Sequence, residues 1–336
     1  MFENLYVHLP FCRSKCGYCS FYSEPGREEL IDRYLDRIGR DIAEAGLGKI
    51  DTVYVGGGTP TLLTIRQLER LAAMLPEAGE RSIESNPETL DSEKAAMLAA
   101  HFTRISTGVQ SFSAPTREKL GRRCSDEAIS RALTAVAEAP FAHRNIDLIY
   151  AVAGQTPDEW TADLDEALRY PIDHLSCYAL TLDETVNSNE PELAAVTLAK
   201  TAGTLPRYEV SNYAKPGCEC RHNLNVWRGR TYLGVGAAAS SFDGRDRFTQ
   251  PDDLNRFLAG DPPEYDRIPE EKRAREIFAF NLRTVRGWEG PDAGKYLPFA
   301  QESIRLHPEF WEIAPGVLRL TPLGLDFWDT VASECL

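Results

Sequence analysis

"HLPFCRSKCGYCSF", residues 8–21, sets three of the chain's eight cysteines within eight positions, directly after the apolar run "LYVHL" (5–9). The spacing is Cys12-x3-Cys16-x2-Cys19. A structural zinc site usually takes four protein ligands, often as two separated pairs, and no nearby His or Cys supplies a fourth here. Iron–sulfur clusters are held by closely spaced thiolates, normally four. Three thiolates on a cubane leave one iron without a protein ligand, and such an iron can hold a substrate. Three free thiols in a loop is the plainer alternative.

Working outward, "LYVHL" reads as the first of six strands that alternate with amphipathic stretches. A long helix over 27–46 is closed by Gly46 and Gly48. "TVYVGGG" (52–58), "RSIESNP" (81–87), "RISTGVQSF" (104–112), "NIDLIYAVA" (145–153) and "HLSCYAL" (174–180) supply the other strands. Helices are expected near 64–75, 91–101, 115–138 and 157–169. Strands separated by helices pair in parallel through right-handed crossovers, as an open doubly wound sheet or a partial barrel. In both, ligands bind at the carboxyl ends of the strands, where the cysteines, the glycines, "ESNPE", "GVQSF" and "GQT" all fall.

The chain divides into 1–180, the βα region; 181–264, an irregular extension rich in Gly, Asn and aromatics; and 265–336, a helix near 270–285 followed by a hairpin turning at Pro315-Gly316. Helices with a late hairpin predict a small winged-helix-like α+β module. That segment holds nine Lys or Arg against twelve Asp or Glu, which disfavours duplex binding. The whole chain, 336 residues with a formal net charge of -14, repels phosphate backbones, although "LGRRC" (120–124) is locally basic. No apolar run approaches the roughly 20 residues of a membrane span, and the start lacks a secretory signal. The expected address is the cytoplasm, where cysteines stay reduced and clustered thiols point to metal or redox chemistry.

The order "YVHLPFC…KCGYC", "GGGTP", "ESNP", "ISTGVQSF", "NIDLIY" resembles radical S-adenosylmethionine proteins of the coproporphyrinogen dehydrogenase and heme chaperone group, from about residue 5 to 245. The resemblance implies a (β/α)6 partial barrel in which Cys12, Cys16 and Cys19 bind a [4Fe-4S] cluster and S-adenosylmethionine takes the open iron. It further implies that Gly57, Gly58, Thr59 and Glu84 contact that cofactor, with Tyr6, Tyr18 and Ala179 as neighbours. Gln110, Arg122 and Asp147 match positions that serve a second S-adenosylmethionine in the dehydrogenase. From the residues alone, glycines 56–58 admit close backbone approach by a ligand, and Arg122 can pair a carboxylate.

Two features favour the heme chaperone branch. Phe21 stands where the dehydrogenase has a further cysteine, and "HNLNVW" (222–227) resembles that branch's His-Asn-x-x-Tyr-Trp, which is associated with heme. His222 is therefore the candidate heme ligand, with Trp227 as an apolar wall. The chain departs from the branch at Val226, in place of Tyr, at Ser240, in place of His, and at "AVAGQT" (151–156), in place of Gly-Leu-Pro-Gly-Gln-Thr. The implied partners are heme, a heme-acceptor protein and, for radical chemistry, an electron donor such as flavodoxin or ferredoxin. The enzymatic alternatives are oxidative decarboxylation of coproporphyrinogen III to protoporphyrinogen IX, and a methyltransferase that opens the heme ring.

Overall fold

The computed structural model describes residues 1–180 and 189–336, so the start of the expected middle segment, at 181, lies outside the described residues. In β1 (Asn4–Leu9), Leu5, Val7 and Leu9 are fully buried in the apolar core, and Asn4, Tyr6 and His8 take the opposite face. The same alternation runs through β2 (Ile50–Gly57), β3 (Ala78–Ser85), β4 (Arg104–Gln110), β5 (His143–Tyr150) and β6 (His174–Ala179). Val53, Val55, Ile83, Ile105, Ile146 and Leu175 face the helices. Thr52, Glu80, Arg104, Asn145 and His174 face inward: Thr52 donates to Asn4 Oδ1 at 2.7 Å, Arg104 pairs with Glu80, and His174 Nδ1 lies 2.7 Å from Asn145 Oδ1.

All six strands pair in parallel and in sequence order. The return helices are α1 (Ile31–Glu44), α2 (Ile65–Met74), α3 (Ser92–His101), α4 (Asp126–Glu138) and α5 (Pro157–Ala167). Helix α1 buries Ile31, Tyr34, Leu35, Ile38 and Ile42, a single stripe at three- and four-residue spacing. Thr64 with Gln67, and Thr156 with Glu159, form capping boxes that start α2 and α5. Next comes α6 (Glu190–Thr201), joined to α5 by Trp160 Nε1 donating to Thr197 Oγ1 at 2.9 Å.

The expected set of six strands falls one short of the parallel set observed. A seventh parallel strand, Tyr232–Val235, pairs with β1 on the side away from β2, with Leu5 opposite Leu233. In chain order β7 (Arg207–Glu209) and β8 (Asn212–Ala214) extend the β6 edge antiparallel, and Tyr232–Val235 is β9. Beyond β9 come β10 (Ser240–Phe242), β11 (Arg247–Thr249) and β12 (Glu264–Asp266), also antiparallel. The twelve-stranded sheet ends at β7 and β12 and does not close, which is a partial barrel. Helix α7 (Arg221–Trp227) lies against its concave face, bonded to Asn4, Thr52 and Glu80 on three adjacent strands. The sequence predicts an irregular extension over 181–264, so this helix is a correction.

The C-terminal module has its own core of Phe278, Leu282, Phe310, Trp311 and Leu318. It comprises α8 (Glu270–Asn281), β13 (Trp288–Glu289), α9 (Leu297–Leu306), the hairpin β14 (Trp311–Ala314) and β15 (Val317–Leu320), and α10 (Trp328–Cys335). Its three strands pair antiparallel and the hairpin turns at Pro315–Gly316, as the sequence predicts. β12 belongs to the large sheet, so the module begins after Asp266.

Candidate functional site

The cysteine loop is fastened to the end of β1 before any side chain takes part. Gly58 N–H donates to Leu9 O at 2.7 Å, Thr59 N–H to Phe11 O at 2.8 Å and Glu24 N–H to Pro10 O at 2.7 Å. Phe11, 1% exposed, packs edge-on against Tyr34 and anchors the entry. Cys12 Sγ lies 3.6 Å from Thr59 Oγ1, and Arg122 Nη1 lies 3.9 Å from Cys16 Sγ. All three thiols are half-buried, and burial pushes those of Cys12 and Cys19 up. Their sulfurs do not gather within 4.8 Å of one another. A single tetrahedral ion with 2.3 Å bonds to sulfur needs edges of about 4 Å. A cluster that gives each thiolate its own iron takes a wider set.

The glycines that end β2, and Gly58 after it, answer to the protein itself. A Cβ on Gly57, at φ +108°, would lie 2.6 Å from the His8 ring. On Gly56 it would meet the Glu84 carboxylate at 2.8 Å, and on Gly58 the Phe11 carbonyl at 2.7 Å. The sequence suggested clearance for a ligand; the clearance is first required by His8, Glu84 and the cysteine loop.

Glu84, at the end of β3, accepts from the Tyr54 hydroxyl at 2.9 Å and from Gly57 N–H at 3.1 Å. Burial, and then the charge of Asp147, pushes it up to about 7, against the pull of those two hydrogen bonds. Burial also raises Asp147, which accepts from Ser106 Oγ at 2.8 Å and Asn145 Nδ2 at 2.7 Å. Arg122 Nη2 donates to Gly108 O at 2.5 Å, and its buried Nε has no hydrogen-bond partner. Among the described residues Arg122 makes no ion pair with a carboxylate; its neighbouring acidic groups are Tyr18, Cys16 and Cys124. Gln110 adopts a left-handed backbone, φ +74°, at an irregularity in the β4–β5 register. Strain of this kind persists where the surroundings hold it and concentrates at functional sites.

These groups meet in one cavity of about 620 Å³ at the carboxyl ends of the strands. Cys12, Cys16, Cys19, Tyr18, Gly57, Gly58, Thr59, Glu84, Gln110, Arg122, Asp147 and Ala179 all line it; Tyr6 and His222 do not. Tyr6 sits below, its hydroxyl 2.9 Å from His8 Nδ1 and its ring 6.3 Å from that of Tyr54. Sequence reasoning missed Tyr54 and Tyr178, which also line the cavity. The signal for Tyr54 was available, since Thr52, Tyr54 and Gly56 share one face of a strand by their spacing of two.

His222 lies on the opposite, amino-terminal side of the concave face. It is 5% exposed, its Nδ1 is 2.7 Å from Thr52 Oγ1, and its ring is 5.2 Å from that of Tyr54. Burial lowers it to about 3, so it is held neutral. The motif falls in the extension that the sequence predicts to be irregular, yet it is helical, with Glu80 accepting the N–H groups of Arg221 at 3.2 Å and His222 at 3.1 Å. Trp227, expected as an apolar wall, packs on Phe280 at 6.2 Å, with the Arg283 guanidinium 4.5 Å from its ring centre. The same guanidinium stands 4.4 Å from Trp328, so this tryptophan ties α7 to the C-terminal module.

An open parallel barrel with a three-cysteine loop after its first strand and a glycine edge after its second defines a class. Residues 6–167 match the Radical SAM superfamily. Curated heme chaperone HemW proteins are similar along most of the chain. The protein of Lactococcus lactis is 33% identical, covering 80% of this chain and 77% of its own length. That of Escherichia coli is 34% identical, covering 70% and 69%, and that of Synechocystis is 34% identical, covering 84% and 78%. Among solved structures, Escherichia coli coproporphyrinogen III oxidase, a radical SAM enzyme, superposes with a TM-score of 0.83 at 21% identity, covering 99% of this chain and 89% of that one. The chain belongs to the radical SAM superfamily and, within it, to the HemW heme chaperone family. No helix among the described residues is long and apolar enough to cross a membrane.

Proposed function

We propose that this protein is a heme carrier: it holds a [4Fe-4S] cluster and S-adenosylmethionine at the barrel mouth, and binds heme for transfer to an acceptor protein. The observation that carries the cofactor assignment is the convergence of the cysteine loop, the glycine edge, Glu84, Gln110, Arg122 and Asp147 on one cavity. Its volume falls within the roughly 300–1,000 Å³ of ligand pockets. The heme assignment rests on kinship with relatives named heme chaperones.

The residues fit these groups. Cys12, Cys16 and Cys19 would hold the cluster, leaving one iron for the amino and carboxylate groups of S-adenosylmethionine. Glu84 offers a carboxylate to a cationic ligand, and Gly57 and Gly58 expose an edge free of side chains. Arg122, with its unpartnered Nε, supplies a guanidinium to an anionic group. When bound, the cluster supplies one-electron chemistry and an open coordination position. The protein's own part is to orient the ligand, exclude water and set the proton on Glu84. An electron donor such as flavodoxin or ferredoxin would be needed only for radical turnover.

His222 remains the proposed heme ligand, and its burial sets a condition: α7 must leave the barrel floor before the imidazole can reach a heme iron. An anaerobic heme titration of cluster-reconstituted protein, followed by absorbance, tests the carrier reading. Saturable stoichiometric binding, weakened in His222→Ala that is still folded by circular dichroism, supports it. Absence of saturable binding, or turnover of coproporphyrinogen III with consumption of S-adenosylmethionine, overturns it.

A further inference from the structure

A second cluster of ligating side chains lies at the amino-terminal end of the barrel strands, away from the cavity. His143, Asp173 and Cys218 each offer one ligand atom, and these atoms lie within 4.8 Å of one another. His143 opens β5, Asp173 directly precedes β6, and Cys218 sits in the turn before α7. His143 Nδ1 is 3.1 Å from Asp173 Oδ2.

Main-chain bonds fix all three positions. His143 N–H donates to Thr103 O at 3.0 Å, and Asp173 N–H to Arg144 O at 3.2 Å. Arg144 N–H donates to Asp173 Oδ1 at 3.0 Å, which orients the carboxylate. Lys215 N–H donates to Asp173 O and Cys218 N–H to Lys215 O, both at 2.9 Å. Arg104 Nη2 donates to Cys218 O at 2.6 Å and closes the turn from inside the barrel. The ligands come from three separate segments, each tied to its neighbours by these bonds. Each is only partly buried, so an ion can enter from solvent.

We propose that His143, Asp173 and Cys218 form a binding site for a zinc-class divalent transition-metal ion, distinct from the cysteine loop. One sulfur, one nitrogen and one oxygen donor suit a borderline ion, whereas calcium and magnesium take oxygen ligands almost exclusively. Three protein ligands leave the fourth position of a tetrahedron to water, the arrangement of open zinc sites. The bound ion cross-links the turn at 215–218 to the starts of β5 and β6. Through Cys220 and Arg221 that turn runs directly into α7, so the metal also pins the helix that carries His222.

The test uses the full-length chain carrying Cys12→Ala, Cys16→Ala and Cys19→Ala, so that no metal can be held at the mouth, with cobalt(II) as the probe. The expected result is one equivalent bound, with a thiolate-to-cobalt charge-transfer band that zinc(II) displaces. Cys218→Ser on the same background removes the band, and the isosteric Asp173→Asn weakens binding at least tenfold with the fold unchanged by circular dichroism. Absence of saturable cobalt uptake, or a band that persists in Cys218→Ser, overturns the proposal.

Discussion

The Tyr54 hydroxyl donates to Glu84 Oε1 at 2.9 Å. The ring of the same tyrosine lies 5.2 Å from that of His222. A single side chain thus separates the cavity at the barrel mouth from the helix on its floor, and both of its neighbours have displaced titrations.

Glu84 is raised to about 7 by burial and by Asp147. A carboxyl raised above its unfolded value stabilises the fold fully below about 4.5, and that contribution is lost as pH rises through about 7. A cationic ligand prefers the ionised form, so S-adenosylmethionine should bind about tenfold more tightly at pH 8 than at pH 6. Calorimetry across that range checks this. Glu84→Gln should flatten the profile, and Tyr54→Phe should move its midpoint upward. A flat wild-type profile would remove Glu84 from the cofactor site.

His222 is lowered to about 3 and so is depressed below its unfolded value near 6.5. Its contribution to stability is complete above about 6.5 and is lost as pH falls toward 3, about 2 kcal/mol of it by pH 5. Chemical denaturation of wild type and His222→Asn at pH 7.5 and pH 5 should show the wild type losing that much more on acidification. Equal losses would mean that the imidazole is hydrated in the native state.

Ala151 stands where the branch carries glycine, and its backbone is left-handed, φ +60°. An L-residue there costs roughly 1–2 kcal/mol, partly offset by the smaller chain entropy of alanine in the unfolded state. Ala151→Gly should therefore stabilise the protein by about 0.5–1 kcal/mol. A lowered denaturation midpoint in the variant would show that the strain is absorbed elsewhere.

Gly57→Ala sets a Cβ 2.6 Å from the His8 ring at a backbone angle suited to glycine. Overpacking and strain together should cost about 3 kcal/mol, with or without cofactor. If thermal unfolding of the ligand-free variant matches wild type, the glycine serves only the ligand.

Cys12→Ala, Cys16→Ala and Cys19→Ala should each abolish iron–sulfur absorbance after anaerobic reconstitution. Cys124→Ala, outside the cavity lining, should retain it. Retention of a full cluster in any of the first three would reopen the ligand assignment.

The local grammar of the chain determined a good deal. Alternating strands, amphipathic helices and the Pro315-Gly316 turn are periodicities and turn chemistries confined to a few residues, and they located the βα units and the terminal hairpin. The three cysteines and "GGGTP" marked the mouth because parallel strands bring their carboxyl ends together. Tertiary structure decided what depends on partners far along the chain. Tyr232–Val235 becomes a parallel strand by pairing with β1, more than 220 residues away, and no local pattern encodes that choice. "HNLNVW" reads as a polar loop in isolation. It is a helix because Glu80 accepts its first N–H groups while Thr52 and Asn4 receive its polar side chains. The burial of His222, and with it the condition on any heme ligation, follows from those distant bonds and not from the motif.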